Sequence, residues 1–418
     1  MTNPQSVLAI QLGARRQYAV PAAFAQTGQL DGLYTDLCAG RGLGRFAPML
    51  SAIPPVARRL SLSRRVPAPE VLNKTHVFPS WFWEMRAALR HGADPVERIK
   101  LIRRAHDRAS ERMLKRGFGN ATHVLTMFGE ATAFQRAAKL RGLTTVMDMN
   151  IAPSTEAIVN DEQNRNPDWE APKIYYGQDH GASYARGLAP IMDDVLAATD
   201  IFLCPSSFVR DDLMNTFGVE AHRTRLVPYA VNPKWQMFET APQRGRILFV
   251  GGAELRKGIH VYAKAAQILR EGGLDANFCV AGDARPELCA RQECDALSFL
   301  GRLNATQLEE AYKSADVVVL PSLAEGSAGV TYEALGCGLP VVTTYEAGSV
   351  VRDKIDGLIV PSRDAHALAD AIATLVRDRN LRDTMASNAR RRASEFGWEE
   401  FGNSIRSAVF GEGALSKP

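Results

Sequence analysis

An unbroken apolar strand, Asp316-Val-Val-Val-Leu320, runs through a short small-residue loop, Gly326-Ser-Ala-Gly329, into a helix. That order of strand, loop and helix confines the chain to parallel α/β architecture, in which a strand buried on both faces reads as a continuous hydrophobic run. Two carboxylates sit on the joint: Glu325 ends the strand side, and Glu333 follows with seven residues between them. Groups at the C-terminal ends of parallel strands face the crevice where α/β sheets bind ligands. The N–H groups that begin the next helix point at an anion. Such a joint can accept hydroxyls through its carboxylates and receive a diphosphate at its helix end. A nucleotide-sugar offers both.

The rest of the chain repeats the pattern. Apolar Ser6–Gln11 ends at Gly13, a helical pattern covers Tyr18–Gln26, and Leu33–Leu37 reads as a second strand. A long charged helix is expected over Pro95–Arg116, with Val96, Ile99, Ile102, Ala105 and Met113 at helical spacings. Strands are expected at Ala121–Met127, Thr144–Asp148 and Ile201–Cys204, with a helix over Ala131–Arg141 and another capped by Ser206 or Ser207. Alternation stops in the proline-punctuated stretch from Val227–Pro233 to Pro242–Gly245 and restarts with Arg246–Val250. Two domains follow, 1–232 and 244–395. A length of 418 residues suits two cores better than one.

Four ordered motifs in the second half resemble retaining, GT-B-fold glycosyltransferases of the family four type, which carry the glycosyltransferase group 1 domain. Glu325 and Glu333 match the family's E-x7-E motif. Phe249-Val-Gly-Gly-Ala-Glu-Leu-Arg-Lys-Gly258 looks like its diphosphate loop, and Val280–Asp283 and Phe299–Leu303 look like its next two strand ends. The resemblance implies two Rossmann-like domains facing a cleft, with the last helix, 396–418, crossing back onto the first domain. Trp398, Phe401, Ile405 and Val409 lie at helical spacings there.

The resemblance also implies roles. Glu325 would contact the donor sugar's hydroxyls and Glu333 the ribose hydroxyls; the simpler reading of Glu333 is a first-turn glutamate favoured by the helix dipole. Gly251, Gly252, Gly326, Ser327, Ala328, Gly329 and Val330 would face the donor, and Arg302 and Leu303 would hold the base. Lys257 is the diphosphate cation. The family often has an arginine where this chain has Gly252, so Arg256, beside Lys257, is taken as its substitute; a solvated helix-start residue is the alternative. The common wording Glu-Gly-Phe-Gly-Leu is altered here, with Ser327, Ala328 and Gly329 as the replacements. In the first domain, Gly13, Arg15 and Arg16 follow the opening strand and either assist at the acceptor side or form a basic surface loop. None of His76, His123 and His180 falls in a motif that marks it as the acceptor-side histidine of many relatives.

The implied activity is transfer of a sugar, with retention, from a nucleoside-diphosphate sugar to a glycan or lipid-linked acceptor, in glycan, glycolipid or polysaccharide biosynthesis. The alternatives are a GT-B-fold sugar-nucleotide epimerase and a non-catalytic nucleotide-sugar-binding subunit. Neither a cofactor nor a catalytic metal is expected. The formal net charge is only +4, and no nucleic-acid partner is expected. Its distribution is uneven: from Leu37 to Pro69 there are Arg41, Arg45, Arg58, Arg59, Arg64 and Arg65, interleaved with Phe46, Met49, Leu50 and Ile53, and no acid. That composition suits a surface meeting anionic lipid or an anionic acceptor, or a solvated basic loop. No run is long enough to span a bilayer and the N-terminus lacks a signal-peptide pattern, so a cytoplasmic protein is expected, peripheral on the inner membrane face if 37–69 docks. The six cysteines lack a metal-ligand spacing and are expected reduced.

Overall fold

A computed structural model describes residues 5–42, 65–90, 95–170, 189–237 and 239–411. Two parallel sheets organise them. The first takes β1 (Val7–Gln11), β2 (Leu30–Thr35), β3 (Thr75–Val77), β4 (His123–Met127), β5 (Thr144–Asp148), β6 (Ile201–Cys204) and β7 (Thr224–Leu226) in the order β3-β2-β1-β4-β5-β6-β7. The second takes β8 (Arg246–Val250), β9 (Asn277–Ala281), β10 (Leu297–Gly301), β11 (Val317–Leu320), β12 (Val341–Thr344) and β13 (Gly357–Val360) in the order β10-β9-β8-β11-β12-β13. Each order reverses once, between β1 and β4 and between β8 and β11. Those reversals are the topological switch points at which open α/β sheets bind ligands.

Why these segments form these elements is visible in their burial. Every residue of β1, β4 and β11 is buried, because helices cover both faces of each sheet. In the long helix Pro95–Arg116, Ala105 and Met113 are fully buried beside Trp81 and Phe134, while charged residues take the outer face. Ser206 caps the helix Ser207–Asn215 by accepting from the Val209 N–H. The last helix, Trp398–Phe410, returns to the first domain: Phe401, Ile405 and Val409 join its core with Phe24 and Leu33, and Arg406 donates to the Ala23 carbonyl at 2.8 Å. Burial pushes the Cys337 thiol up to about 12, as expected of a small packing residue.

Three local expectations shift. The second strand lies at Leu30–Thr35 rather than Leu33–Leu37, because its register with β1 pairs Leu8 with Gly32 and Ile10 with Tyr34. Asp36 turns out of the sheet to accept from the Gly13 N–H at 3.0 Å and from Arg65 at 2.7 Å. The first helix begins at Ala19, since Arg16, Gln17 and Tyr18 carry φ of 48°, 52° and 63°. Three successive side chains in the left-handed region store strain, at roughly 1 kcal/mol each. The fourth strand starts at His123, and Thr122 instead bridges its hydroxyl to the Ser6 backbone.

Candidate active site

In the second domain the two strands flanking the switch point, β8 and β11, deliver the key side chains from opposite sides. Beyond β8, Gly251 (φ 141°) turns the chain, a single 3-10 turn holds Leu255–Lys257, and Gly258 (φ 74°) opens the helix Ile259–Glu271. A Cβ at Gly258 would stand 2.0 Å from the Pro321 carbonyl oxygen, so only glycine lets this helix start rest on the end of β11. The Leu323 N–H then bonds the Arg256 carbonyl at 2.8 Å. The Lys257 stem passes 3.7 Å from where a Cβ on Gly251 would stand, an ordinary contact, so the φ of 141° rather than space calls for glycine there.

The outcome is convergence on one carboxylate. Arg256 Nη1 stands 2.7 Å from Glu325 Oε1, and Lys257 Nζ pairs with the same oxygen. Arg256 Nη1 also donates to the Ala324 carbonyl at 3.1 Å. Glu325 itself is fixed by its backbone N–H, which bonds Glu346 O at 2.9 Å. Arg256 is therefore a member of this cluster and not a free helix-start cation. Two cations and one carboxylate at a strand end, all largely buried, form a site that polarises whatever anion enters it.

Glu333 lies a few residues along the helix Gly329–Cys337, outside its first turn, so the helix dipole does not explain it. Its Oε2 accepts from the Tyr312 hydroxyl at 2.7 Å. Burial pushes its pKa up, opposed by that hydrogen bond and by Lys234. Glu333 and Gly329 line a cavity of about 140 Å³ together with Arg16, Tyr229, Trp235 and Trp398. First domain, interdomain connection, second domain and terminal helix thus meet around one opening.

The loop between the carboxylates is used in a different way at each position. A Cβ on Gly326 would fall 2.0 Å from the Asn150 carbonyl oxygen, and the Gly326 carbonyl accepts from Ser206 Oγ at 2.6 Å. Gly326 therefore lets the two domains approach. Ser327 Oγ donates to the Gly348 carbonyl at 2.7 Å and lies 3.0 Å from the Tyr332 hydroxyl, and the Ala328 N–H bonds Ala347 O. Gly329 has nothing within 4 Å of where a Cβ would sit. The open N–H groups are those at the helix start, Gly329 and Val330, which have no intrahelical acceptor. Gly252 follows Gly251 in the turn. Arg302 stands apart from both clusters, mostly exposed and 3.6 Å from Asp283, while Leu303 packs on the core that contains Tyr312.

At the first-domain switch point, the strained loop after β1 places Arg16 beside Asp148 and its guanidinium 4.4 Å from the centre of the Tyr229 ring. Arg15 reaches Glu130 at 3.2 Å, and the Leu12 N–H bonds Glu130 Oε2 at 2.6 Å. Burial pushes the Glu130 carboxyl up to about 7. Sequence reading missed Glu130, Asp148, Tyr229 and Tyr312; Asp148, as the last residue of a strand, carried the one usable signal. The histidines lie elsewhere. His123 begins β4, at the opposite end from the cleft, and His76 in β3 faces Arg116. His180 is outside the described residues.

The two sheets and the clustered switch-point loops define a GT-B protein. Residues 244–378, most of the second domain, match the family described as glycosyl transferases group 1. Among curated proteins, a D-inositol 3-phosphate glycosyltransferase of Xylanimonas cellulosilytica is 30% identical over 236 residues, covering 50% of this chain and 56% of that protein. The alpha-D-kanosaminyltransferase of Streptomyces kanamyceticus is 28% identical over 200 residues, covering 43% and 52%. The chain spans about half the length of such relatives. Sucrose-phosphate synthase from Thermosynechococcus elongatus superposes with a TM-score of 0.60 at 17% identity, covering 96% of this chain and 98% of that one. Anabaena HepE, solved with UDP and glucose, gives 0.60 at 14%, covering 97% and 99%. These likenesses are of fold.

Proposed function

We propose that the chain is a retaining glycosyltransferase that moves a sugar from a nucleoside-diphosphate sugar to an acceptor hydroxyl. The observation that carries this reading is the convergence of Arg256 and Lys257 on Glu325 at the β8/β11 switch point. Negative charge grows on the diphosphate as the glycosidic bond breaks. Two fixed cations and the helix start at Gly329 and Val330 oppose that charge best in the transition state. Glu325 would hold the donor sugar's hydroxyls and orient both cations, and Glu333 would accept from the ribose. Acceptor attack on the face the diphosphate leaves would retain the anomeric configuration. The names of the curated relatives, a D-inositol 3-phosphate glycosyltransferase and an alpha-D-kanosaminyltransferase, support sugar transfer, and a related structure solved with UDP-glucose supports a nucleotide-sugar donor. Because the two side-chain cations already supply charge to the diphosphate, the mechanism calls on no metal ion.

Stabilisation by ligand tests the reading. A panel of nucleotide-sugars and nucleoside diphosphates is scanned by thermal denaturation; a true donor at a hundred times its dissociation constant adds about 2.7 kcal/mol. A panel in which nothing shifts the melting temperature contradicts it.

Lys257→Ala is expected to lower transfer and nucleotide affinity together, because the ammonium meets the diphosphate in the bound donor and in the transition state. Lys257→Arg recovers only part. Unchanged affinity of the alanine variant for nucleoside diphosphate would show that the β8 loop does not face the donor.

The acceptor is proposed to be a glycan or a lipid-linked sugar, met in the cytoplasm at the inner membrane face. Residues 43–64 of the basic segment lie outside the described residues. At its ends, Arg41 donates to the carbonyls of Leu72 and Asn73, and Arg65 pairs with Asp36, so these two serve the fold. The membrane reading rests on the composition of the segment, where Arg45, Arg58, Arg59 and Arg64 would each contribute about 1 kcal/mol near an anionic surface. Val66, Trp83 and Leu89 are exposed, and among the described residues no helix is long and apolar enough to cross a bilayer. Vesicle sedimentation is expected to show binding that needs anionic lipid and fades with salt. Absence of binding at low salt would leave only the acceptor-loop reading.

A further inference from the structure

We infer that Tyr312 is a positioning residue for nucleotide recognition: its hydroxyl fixes the Glu333 carboxylate so that the remaining oxygen lone pairs face the ribose hydroxyls. The inference rests on the nucleotide-site reading above. Tyr312 comes from the helix Ala305–Ser314 and Glu333 from the helix Gly329–Cys337, so the contact crosses between two elements. The Tyr312 side chain has no solvent exposure, and its ring meets Trp235 edge-on with centroids 5.0 Å apart. Among the described residues its hydroxyl donates to Glu333 Oε2 alone, at 2.7 Å. A glutamate has three rotatable bonds, and a carboxylate that must receive two neighbouring hydroxyls loses affinity whenever it swings. A rigid phenol donating to one oxygen removes that freedom before the ligand arrives. Lys234 is the cation that faces the same carboxylate, but its ammonium is half-exposed, stacked over Trp235 and 3.9 Å from Glu309. Tyr312 is therefore the group that sets the orientation.

The competing role is packing alone, with Glu333 merely satisfying a buried hydroxyl. Ribose selectivity separates the two. The probes are the tightest binder among UDP, GDP and ADP and its 2′-deoxy and 3′-deoxy counterparts, titrated by calorimetry against the full chain. Tyr312→Phe keeps the ring on Trp235, and its melting temperature confirms folding. It is expected to weaken the ribonucleotide about 10-fold, the scale of one hydrogen bond to a charged group, while leaving the deoxynucleotides within about twofold. In a Glu333→Ala background the same substitution is expected to change nothing further. Equal losses for all three ligands, or no loss, would overturn the inference. Full ribonucleotide affinity in Glu333→Ala alone would instead remove the nucleotide-site reading beneath it.

Discussion

Glu325→Ala is expected to lower turnover about 100-fold or more, the scale of losing one preorganised polar contact to a transition state. The carboxylate is the common partner of Arg256 and Lys257, so its removal takes away a sugar contact and the anchor of both cations. Ground-state affinity for nucleoside diphosphate should fall little, since two cations freed from a carboxylate still attract the phosphates. The effect therefore belongs in kcat. The fold survives the change: Arg256 keeps its bond to the Ala324 carbonyl, and the loop keeps its backbone ties to Glu346 and Ala347. Circular dichroism and the melting temperature check that survival. Near-parental turnover would mean that the β11 joint is not where the sugar sits.

A larger effect on stability is expected at a carboxylate that takes no part in chemistry. Asp316, immediately before β11, has no solvent exposure and is gripped by Arg379 through two bonds of 2.8 Å and by Arg382 at 3.0 Å. The Gly245 N–H, at the entrance to β8, bonds the same side chain at 2.9 Å. One residue thus joins the start of the second domain, its central strand and the helix Arg379–Ala393. Asp316→Ala leaves the buried Arg382 with the exposed Asp383, at 3.1 Å, in place of its buried counter-charge, and removing one partner of a buried ion pair costs about 3–5 kcal/mol. Urea unfolding followed by fluorescence is the measurement. A loss below about 1 kcal/mol would show that the cluster is far more hydrated than its burial indicates.

How much of this was legible in the sequence differs between the two halves. Short apolar runs located β1, β5, β6, β8 and β11, because burial on both faces forces an uninterrupted hydrophobic stretch. The last helix was legible from Phe401, Ile405 and Val409 at helical spacings, and its route back to the first domain came from the family resemblance. Short strands such as β3 and β7, three residues each, were not legible, since so brief a segment has no period to detect. In the site, Glu325 and Glu333 stood out through spacing and Lys257 through the family resemblance, whereas Arg256 needed the structure to show it turned onto Glu325. Tyr312 was invisible for a physical reason. A tyrosine on the inner face of an amphipathic helix reads as core, and only the approach of a second helix gives its hydroxyl an acceptor. The Asp148–Arg16–Tyr229 cluster likewise joins residues far apart in the chain, through a left-handed turn that no local pattern announced.

The most direct test of the central claim is release of nucleoside diphosphate from a panel of nucleotide-sugars, by the parent protein and by Glu325→Ala and Lys257→Ala. At least one donor is expected to yield nucleoside diphosphate in the parent, at a rate about 100-fold or more above the Glu325→Ala variant. Release that is absent from the parent for every donor, or equal in all three proteins, would contradict the assignment of the β8 and β11 loops as a sugar-transfer site.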